Sequence, residues 1–374
     1  MMVIVSKPET GMTADALIGD EAALQSLVAS WPPGAGLALD TEFIRERTYY
    51  PKLCLVQVAA ADRLALIDPL AIADPAALRG PLSDPARPKL LHAARQDIEA
   101  LLPLTGVPLA PVFDTQLAAA LLGFASQIGY ADLVQQLLGI ELAKGHARTD
   151  WARRPLSAEQ LAYAADDVRY LPELAALLDE RLAAADRRGW MAEESAALTD
   201  ISLYRVEPAA AWRRLKGLER LQPAAQQAMR ALARWREQRA MDRDLPRGWV
   251  LPDAALLEIA QARPHTREEF SKLTSVPRAT ADRAGGEILK LLSEQFGVPD
   301  EQIADDGARA GPEQLRQLKV LQKRLQAIAG ELAIQPEVLA TRRDLMALLR
   351  GERELPILSG WRRATIGEPL LAAL

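Results

Sequence analysis

The chain of 374 residues has little cysteine and histidine, with one Cys and three His. One cysteine cannot form an intrachain disulfide, which is typical of proteins from a reducing compartment. Cys54 lies in the apolar run L-C-L-V-Q-V, and we interpret it as a small buried side chain. Because one cysteine and three scattered histidines do not make up the usual ligand sets of structural zinc, we expect no such site.

Long apolar runs are also missing. No window of about 18 residues is uninterruptedly apolar, so the sequence predicts no membrane span. The first residues, M-M-V-I-V-S-K-P-E-T, lack the basic stretch and the apolar core of a secretory signal. We therefore expect a cytoplasmic protein.

Acidic residues are concentrated in the first part of the chain. Residues 1–200 contain 17 Lys+Arg and 27 Asp+Glu, a balance of −10, whereas residues 201–374 contain 28 and 23, a balance of +5. This asymmetry indicates separate tasks, since a basic module can bind polyanions. Scattered solvated charges would give the same balance, so charge alone leaves both interpretations open.

The order of strand-like and helical segments predicts an α/β first part and a helical remainder. Strand patterns interspersed with helices predict a mixed sheet flanked by helices, and helical periodicity follows from about Ser157, including a long helix over residues 171–188. Linker-like stretches near residues 201–208 and 296–312 divide the chain. The predicted domains are residues 1–205, followed by two small all-α bundles at 208–292 and 310–374.

Two carboxylates share one face of the first long strand, L-A-L-D-T-E-F. Side chains alternate along a strand, so Asp40 and Glu42 project side by side. Asp97 in H-A-A-R-Q-D begins a helix, where the helix dipole favours a carboxylate. In Y-A-A-D-D, Tyr163 and Asp167 are four residues apart and lie on one helical face.

Each of these features has an ordinary structural interpretation as an edge pair, a helix cap or a solvated face. Gathered together, they suit hard cations, because Mg²⁺ and Mn²⁺ prefer oxygen ligands. Two such ions about 3.5–4 Å apart can hold the attacking and leaving oxygens of a phosphoryl displacement. Cations would offset the repulsion between Asp40 and Glu42, and the Tyr163 hydroxyl could orient a water molecule.

Taken in this order, the three acidic blocks resemble the exonuclease motifs of the DEDD superfamily, in its tyrosine-bearing subclass. The sequence around these motifs resembles the ribonuclease D family. Three stretches carry this resemblance: D-T-E-F-I-R-E-R-T-Y-Y-P-K-L-C-L-V-Q, F-D-T-Q-L-A-A-A-L-L-G and R-T-D-W-A-R-R-P-L-S-A-E-Q-L-A-Y-A-A-D-D-V-R-Y-L. The likeness is dense over residues 30–190.

The resemblance implies a ribonuclease-H-like fold and 3′→5′ hydrolysis that releases nucleoside 5′-monophosphates, with two divalent ions, Mg²⁺ or Mn²⁺, as cofactors. In the family pattern Asp40 bridges the two ions. Glu42 and Asp167 complete one metal site, and Asp97 supports the other. Tyr163 positions the attacking water. All five side chains are present, which implies a working site.

A basic loop that contains a tryptophan, K-G-H-A-R-T-D-W-A-R-R-P, precedes the third block. Lys144, Arg148 and Trp151 suit contacts with phosphate and stacking on a base. A solvated loop that Trp151 anchors to the core is an equal alternative. We also expect Phe43 and Gln57 to help shape the substrate cleft.

The helical remainder resembles HRDC domains, which ribonuclease D shares with RecQ-type helicases. The first likeness, within residues 208–290, is carried by A-W-R-R-L-K-G, A-L-A-R-W-R-E-Q-R-A and D-L-P-R-G-W-V-L-P-D-A-A-L-L-E-I-A. Residues 312–374 resemble a second, more divergent copy. Arg, Lys and Trp suit an RNA backbone, although for most of the tryptophans, Trp212, Trp235, Trp249 and Trp361, we favour a core position.

These patterns predict a 3′→5′ exoribonuclease that trims the 3′ trailers of tRNA precursors and other small structured RNAs. We expect a monomer that binds RNA with a free 3′ end and has no obligate protein partner and no membrane association. Two alternatives stay open. One is a DNA 3′→5′ exonuclease of the same superfamily, and the other is a non-catalytic RNA-binding protein that keeps the nuclease fold.

Overall fold

The computed structural model of the protein describes residues 13–14, 17–143, 145, 149–294 and 311–374. Its strands are β1 (Thr13–Ala14), β2 (Leu37–Ile44), β3 (Lys52–Ala60), β4 (Arg63–Ile67), β5 (Lys89–Leu91) and β6 (Val112–Asp114). Up to residue 200 its helices are α1 (Glu21–Ser30), α2 (Arg79–Ser83), α3 (Arg95–Thr105), α4 (Thr115–Leu121), α5 (Tyr130–Leu138), α6 (Ala158–Arg169), α7 (Leu171–Ala184) and α8 (Arg188–Leu198).

Beyond residue 200 the described chain is helical. The helices are α9 (Pro223–Asp242), α10 (Arg247–Val250), α11 (Asp253–Ala262), α12 (Arg267–Phe270), α13 (Arg278–Glu294), α14 (Pro312–Leu332), α15 (Pro336–Leu339), α16 (Arg342–Leu349), α17 (Gly360–Arg362) and α18 (Glu368–Leu371). Among the helices of the described residues, none has the length and the apolar character needed to span a bilayer.

The strands of the described chain form one mixed sheet in the order β1-β4-β3-β2-β5-β6. β3 and β4 pair antiparallel up to Ala60 opposite Arg63, which makes a hairpin. β1 pairs with β4, β2 with β5 and β5 with β6, each in parallel. The predicted mixed sheet flanked by helices is confirmed, and β2 lies in its interior between β3 and β5.

The amino-acid order of β2 divides the strand into an apolar part and an acidic part. Leu37, Ala38 and Leu39 are fully buried, as expected for the centre of a sheet covered by helices. Asp40 follows and is only partly buried, so the carboxylates begin where the strand leaves the core. On the neighbouring strand Cys54 is fully buried, which confirms its interpretation as a core side chain.

Helix ends near the acidic residues are set by side-chain caps. Ser157 begins α6, since its hydroxyl accepts from the Gln160 backbone N–H at 3.2 Å while the Gln160 side chain accepts from the Ser157 N–H at 2.8 Å. This reciprocal pair of hydrogen bonds is a capping box. Asp114 caps α4 and also accepts hydrogen bonds from the backbone N–H groups of Ala93 and Ala94, so its carboxylate has a structural role.

The helix predicted over residues 171–188 is wrong in length. α7 ends at Ala184, and α8 starts separately at Arg188. Between them Asp186 adopts a left-handed conformation with φ of 56°, which Asp tolerates better than most residues. The helical periodicity of this alanine-rich run therefore does not reveal the break between α7 and α8.

The C-terminal helices share a hydrophobic core with the helices that cover the sheet. Leu321 and Ile328 of α14 belong to the same buried cluster as Leu174 and Leu178 of α7. At a second contact, Trp190 and Trp361 stack with ring centroids 4.2 Å apart and 11° between their planes. Residues 311–374 are therefore helical as predicted, but their apolar side chains are buried against the sheet-bearing part of the chain.

One glycine shows how close this contact is. Gly123 has φ of 93°, and a Cβ there would lie 2.2 Å from the Ala333 carbonyl oxygen. Only glycine fits such a position without displacement of the backbone. Gly123, which follows the end of α4, is thus a contact point for the C-terminal helices.

The chain divides into two compact units. The sheet unit comprises the chain up to Ile44, Leu53–Ile201 and Gly311–Leu374, and the helical unit comprises Arg45–Lys52 and the chain from Ser202 to α13. In the helical unit, Leu232, Leu256 and Ile288 are fully buried and form the centre of its own core.

The tryptophans of the helical segments differ in burial. Trp361 is 7% exposed, which fits the core interpretation. Trp212 and Trp235 are partly buried at the edge of the helical unit's core. Trp249 is 58% exposed, so for this residue the core interpretation is wrong.

We expect Trp361→Ala to destabilise the sheet unit by about 3–5 kcal/mol, because it removes a buried aromatic ring and its stack with Trp190. Urea unfolding followed by far-UV circular dichroism measures the change. Trp249→Ala is the matched control and should stay within about 0.5 kcal/mol of the parent, because its ring is exposed. Equal effects of the two substitutions would contradict the shared core.

Candidate active site

Asp40 and Glu42 lie side by side on β2, as the alternation of the strand predicts, and both are partly buried. Asp167 approaches them from α6. Carboxylate oxygens of Asp40, Glu42 and Asp167 lie within 4.8 Å of one another, and we call these three residues the acidic cluster. The structure thus brings together residues that are more than 120 positions apart in the sequence.

Asp97 joins this group through Thr41, which separates the two acids of β2. It lies in the first turn of α3 and is 7% exposed. Its Oδ1 accepts from the Thr41 backbone N–H at 3.1 Å and from the Thr41 hydroxyl at 2.6 Å. These two bonds fix one carboxylate oxygen of Asp97 against the strand. Thr41 is a residue that the sequence analysis did not single out.

Tyr163 lies one helical turn before Asp167 on the same face of α6, which places its side chain beside the Asp167 carboxylate. Its ring packs beside Trp151, with centroids 6.3 Å apart. The adjacent Asp166 is outside the acidic cluster and accepts from Arg169 Nε at 2.9 Å. The helical spacing therefore selects Asp167 over Asp166 for the cluster.

Burial raises the pKa of all four carboxyl groups, and repulsion by nearby acids adds to it. For Asp40 burial is the largest cause, repulsion by the other three acids follows, and the pKa lies well above its usual value. Burial, with repulsion from Asp167 and Asp97, raises the pKa of Glu42 to about 8. Burial likewise raises the pKa of Asp97 and of Asp167 to about 7.

The hydroxyl of Tyr163 stays protonated across the neutral range. Burial, followed by repulsion from Asp167 and Glu42, raises the pKa of this phenol above its ordinary value. A protonated hydroxyl can both donate and accept a hydrogen bond. It is therefore suited to holding a water molecule beside the acids.

The donor set of the site fits divalent metal ions. Carboxylate oxygens are the ligands that Mg²⁺ and Mn²⁺ prefer, and Asp40, Glu42 and Asp167 already place theirs within 4.8 Å. Their raised pKa values show that the four acids repel one another when ionised. Bound cations would remove this repulsion.

Gln57 contacts the acidic cluster from the neighbouring strand β3. It is fully buried, and its Nε2 donates to Asp40 Oδ2 at 3.3 Å. Its Oε1 is buried without a hydrogen-bond partner among the described residues. This side chain, predicted to shape the substrate cleft, therefore also orients a carboxylate. Phe43, predicted for the same role, is partly exposed on β2 beside Glu42.

The predicted basic loop lies only partly within the described residues, and Lys144 and Arg148 lie outside them. Trp151 is 2% exposed and belongs to a buried cluster with Val168 and Leu171. This is the arrangement of the core-anchor alternative, since a buried ring offers little face for a base. Arg154 fixes the loop further, with Nε donating to Asp68 at 2.6 Å and Nη2 donating to the Cys54 carbonyl at 2.8 Å.

A cavity of about 300 Å³ opens beside Tyr163 and Asp167. Tyr130 lines it and supports the end of α6, because its hydroxyl donates to the Asp166 carbonyl at 3.1 Å and accepts from the Tyr170 backbone N–H at 3.2 Å. Sequence reasoning missed Tyr130, since a tyrosine at the start of a helix gives no local sign of contact with another helix.

Comparison with known proteins agrees with this geometry. A 3′-5′ exonuclease family model matches residues 16–183, and an HRDC domain model matches residues 225–292, within the first predicted helical domain. A ribonuclease D of Granulibacter bethesdensis is 40% identical over 350 residues, which cover 90% of this chain and 86% of that protein. A ribonuclease D of Pseudomonas paraeruginosa is 38% identical over 96% of both chains.

A solved structure is also similar along nearly the whole length. The crystal structure of Escherichia coli RNase D, described as an exoribonuclease involved in structured RNA processing, superposes with a TM-score of 0.87 at 30% identity. The match covers 97% of this chain and 99% of that one. The resemblance inferred from the acidic motifs is therefore confirmed, and the chain belongs to the ribonuclease D family of 3′→5′ exoribonucleases.

Proposed function

We propose that this chain trims the 3′ ends of RNAs that have a folded body, such as tRNA precursors, and releases nucleoside 5′-monophosphates one at a time. The observation that carries the proposal is the convergence of Asp40, Glu42 and Asp167, with Asp97 anchored beside them through Thr41. The E. coli relative, whose structure matches over 97% of this chain, is described as acting in structured RNA processing.

The four acids are assigned to two divalent ions, Mg²⁺ or Mn²⁺. Asp40 is the best placed to bridge, because it repels each of the other three acids and shares the cluster with Glu42 and Asp167. Thr41 holds Oδ1 of Asp97, and we assign the second oxygen of Asp97 to the other ion. Such ions, when bound, stabilise the charge of the attacking and leaving oxygens.

Tyr163 is assigned to the water that attacks the phosphorus. Its protonated hydroxyl lies one turn from Asp167, and can hold the water by a hydrogen bond while the P–O3′ bond breaks. The adjacent cavity of about 300 Å³ has room for the terminal nucleotide of the RNA. Gln57 contributes by keeping the Asp40 carboxylate in place.

A groove on the helical unit supports contact with the body of the RNA. This arginine groove has a volume of about 1120 Å³, and its lining includes Trp212, Arg230, Arg234, Trp235, Arg239 and Arg243, together with the acids Asp242, Glu287 and Glu294. Arg239 is paired with Glu287 at 2.5 Å. The Arg230 guanidinium lies 4.4 Å from the centre of the Trp212 ring, and the Arg239 guanidinium lies 5.3 Å from that of Trp235. Guanidinium groups bind phosphate, so the arginines of this groove suit contacts with the RNA backbone.

The alternatives are less well supported. A DNA exonuclease of the same superfamily would have the same acids, but the relatives at 38–40% identity are ribonucleases D over most of their length. A non-catalytic RNA-binding protein would have no reason to keep four mutually repelling carboxylates together. All four come from one chain, so we propose a monomer, acting in the cytoplasm where tRNA precursors are made.

A second HRDC-like copy at residues 310–374 stays a proposal. Its helices α14–α18 are consistent with a small bundle, and the stack of Trp361 on Trp190 supports a primarily structural role for it. The proposed limits of the exonuclease domain are residues 1–205, and those of the first HRDC-like domain are residues 208–292.

Asp40→Asn and Asp167→Asn should each lower kcat for a 3′-extended tRNA by at least about a thousandfold, because each removes a charged oxygen ligand. Gel assays with single-nucleotide resolution measure this, and EDTA should stop the parent enzyme. Asp179→Asn is the control, because this exposed acid on α7 pairs with Arg188 and should leave activity intact. Matched RNA and DNA substrates separate the proposal from its enzymatic rival. Full activity in either cluster variant, or in EDTA, would contradict the metal assignment.

Stabilisation by metal should depend on pH. Folded pKa values of about 7 for Asp97 and Asp167 and about 8 for Glu42 lie above the values near 4 of unfolded chains. The stability that these groups contribute is therefore present at about pH 4 and is lost as pH rises through 7–8. Because cations bind the ionised acids, millimolar Mn²⁺ should raise Tm more at about pH 8 than at about pH 5. Equal shifts at both pH values, or an undiminished shift in Asp40→Asn, would count against the site.

The double substitution Arg230→Gln and Arg234→Gln should weaken binding of a folded tRNA precursor by about tenfold and reduce the salt dependence of its dissociation constant. Fluorescence anisotropy at several salt concentrations measures both. Arg278→Gln, an exposed arginine outside the groove, is the control. Unchanged affinity in the double variant would remove the groove from the RNA-binding surface.

A further inference from the structure

The segment between β2 and β3 is part of the helical unit. Residues Arg45–Lys52 connect the strand of Asp40 and Glu42 to the strand of Gln57, yet their contacts group them with the chain from Ser202 onward. We call these eight residues the connecting segment. It is covalently continuous with β2, which carries Asp40 and Glu42 of the acidic cluster, and with β3, which carries Gln57.

Tyr49 is a buried aromatic residue of this segment. It is 4% exposed, whereas its neighbour Tyr50 is 42% exposed. Its ring packs in a small cluster with Ala240 of α9 and Val250 of α10. The Tyr49 side chain is therefore buried in the helical unit, although the other residues of the segment, apart from Thr48 and Pro51, are exposed.

The Tyr49 hydroxyl enters a closed polar network with Glu237 and Arg247. It donates to Glu237 Oε1 and accepts from Arg247 Nη2 at 3.1 Å. Arg247 also binds both oxygens of Glu237, with Nε to Oε2 at 2.6 Å and Nη2 to Oε1 at 2.7 Å. The guanidinium lies 4.7 Å from the centre of the Tyr49 ring. We call these three residues the tyrosine anchor.

A second contact fixes the backbone of the connecting segment. Asp244 Oδ1 accepts from the N–H groups of both Tyr49, at 2.9 Å, and Tyr50, at 3.0 Å. Arg45 Nε donates to the Tyr49 carbonyl at 2.9 Å. The segment is thus held by its side chain and by its main chain at the same place.

The tyrosine anchor places an ionised acid in the interior. Glu237 is 2% exposed. Although burial would raise its pKa, hydrogen bonds from Arg247 and Tyr49 hold that pKa below the usual value, so the group is charged at neutral pH. A buried charge that loses one of its partners is strongly destabilised. The native position of the connecting segment is therefore favoured over displaced ones.

We propose that Tyr49, Glu237 and Arg247 are positioning residues for the exonuclease reaction. Through them the helical unit fixes the connecting segment, and with it the adjoining ends of the strands that present Asp40, Glu42 and Gln57. This inference rests on the proposed function of that site. It implies that turnover of a short unstructured RNA, which is too small to need the arginine groove, still depends on the tyrosine anchor.

Tyr49→Phe is the decisive variant, because it removes one hydroxyl and leaves the ring and the Glu237–Arg247 pair. We expect kcat for a short RNA oligonucleotide to fall by about tenfold with KM changed less than about twofold, since a small misplacement of catalytic groups is costly. Hydrogen–deuterium exchange should become faster in β2 and β3, at residues 40–60. Tyr50→Phe, the adjacent exposed tyrosine, is the matched control and should behave as the parent.

A second variant and a second readout keep the test decisive. Glu237→Gln keeps the shape of the side chain but removes its charge, and should reproduce the loss of kcat and the faster exchange. Parent kcat together with parent exchange in Tyr49→Phe would overturn the inference. Parent enzyme that does not degrade RNA would instead overturn the proposed function, and exchange at residues 40–60 would still decide whether the anchor positions the strands.

Discussion

Repulsion among four carboxylates is the constraint around which the sheet unit is organised. Asp40, Glu42, Asp97 and Asp167 are partly or almost fully buried, and their raised pKa values record the cost of ionising them together. Their positions are set by the strand and helices that carry them and by hydrogen bonds, whether or not the acids are ionised. A strand fixes two, a threonine fixes the third, and a capped helix carries the fourth. The affinity for cations is therefore built in by folding.

Sequence alone predicted the parts of this site that depend on local periodicity. Alternation along β2 paired Asp40 with Glu42, and helical spacing separated Asp167 from Asp166. The capping box at Ser157 likewise follows from four consecutive residues. These features were predictable because each depends only on residues that are close to one another in the sequence.

Contacts between distant segments were not predictable in the same way. Thr41 bonds to Asp97, 56 residues away, and nothing in D-T-E marks the threonine as a donor. Tyr49 meets Glu237 across 188 residues. The C-terminal helices, predicted as a separate bundle, share a buried cluster with α7, because an apolar helical face does not reveal which surface covers it. The sequence predicts that a helix has an apolar face, but only the folded structure shows which residues cover that face.

The close approach of Gly123 to Ala333 has a consequence for truncation of the chain. Every acidic residue of the site is encoded in the first half of the chain, yet the core around Leu174 and Leu178 is completed by side chains after residue 311. Loss of residues 311–374 would leave the acids untouched while exposing that apolar surface to water. These residues are thus part of the folded nuclease even though they contribute none of the four acids.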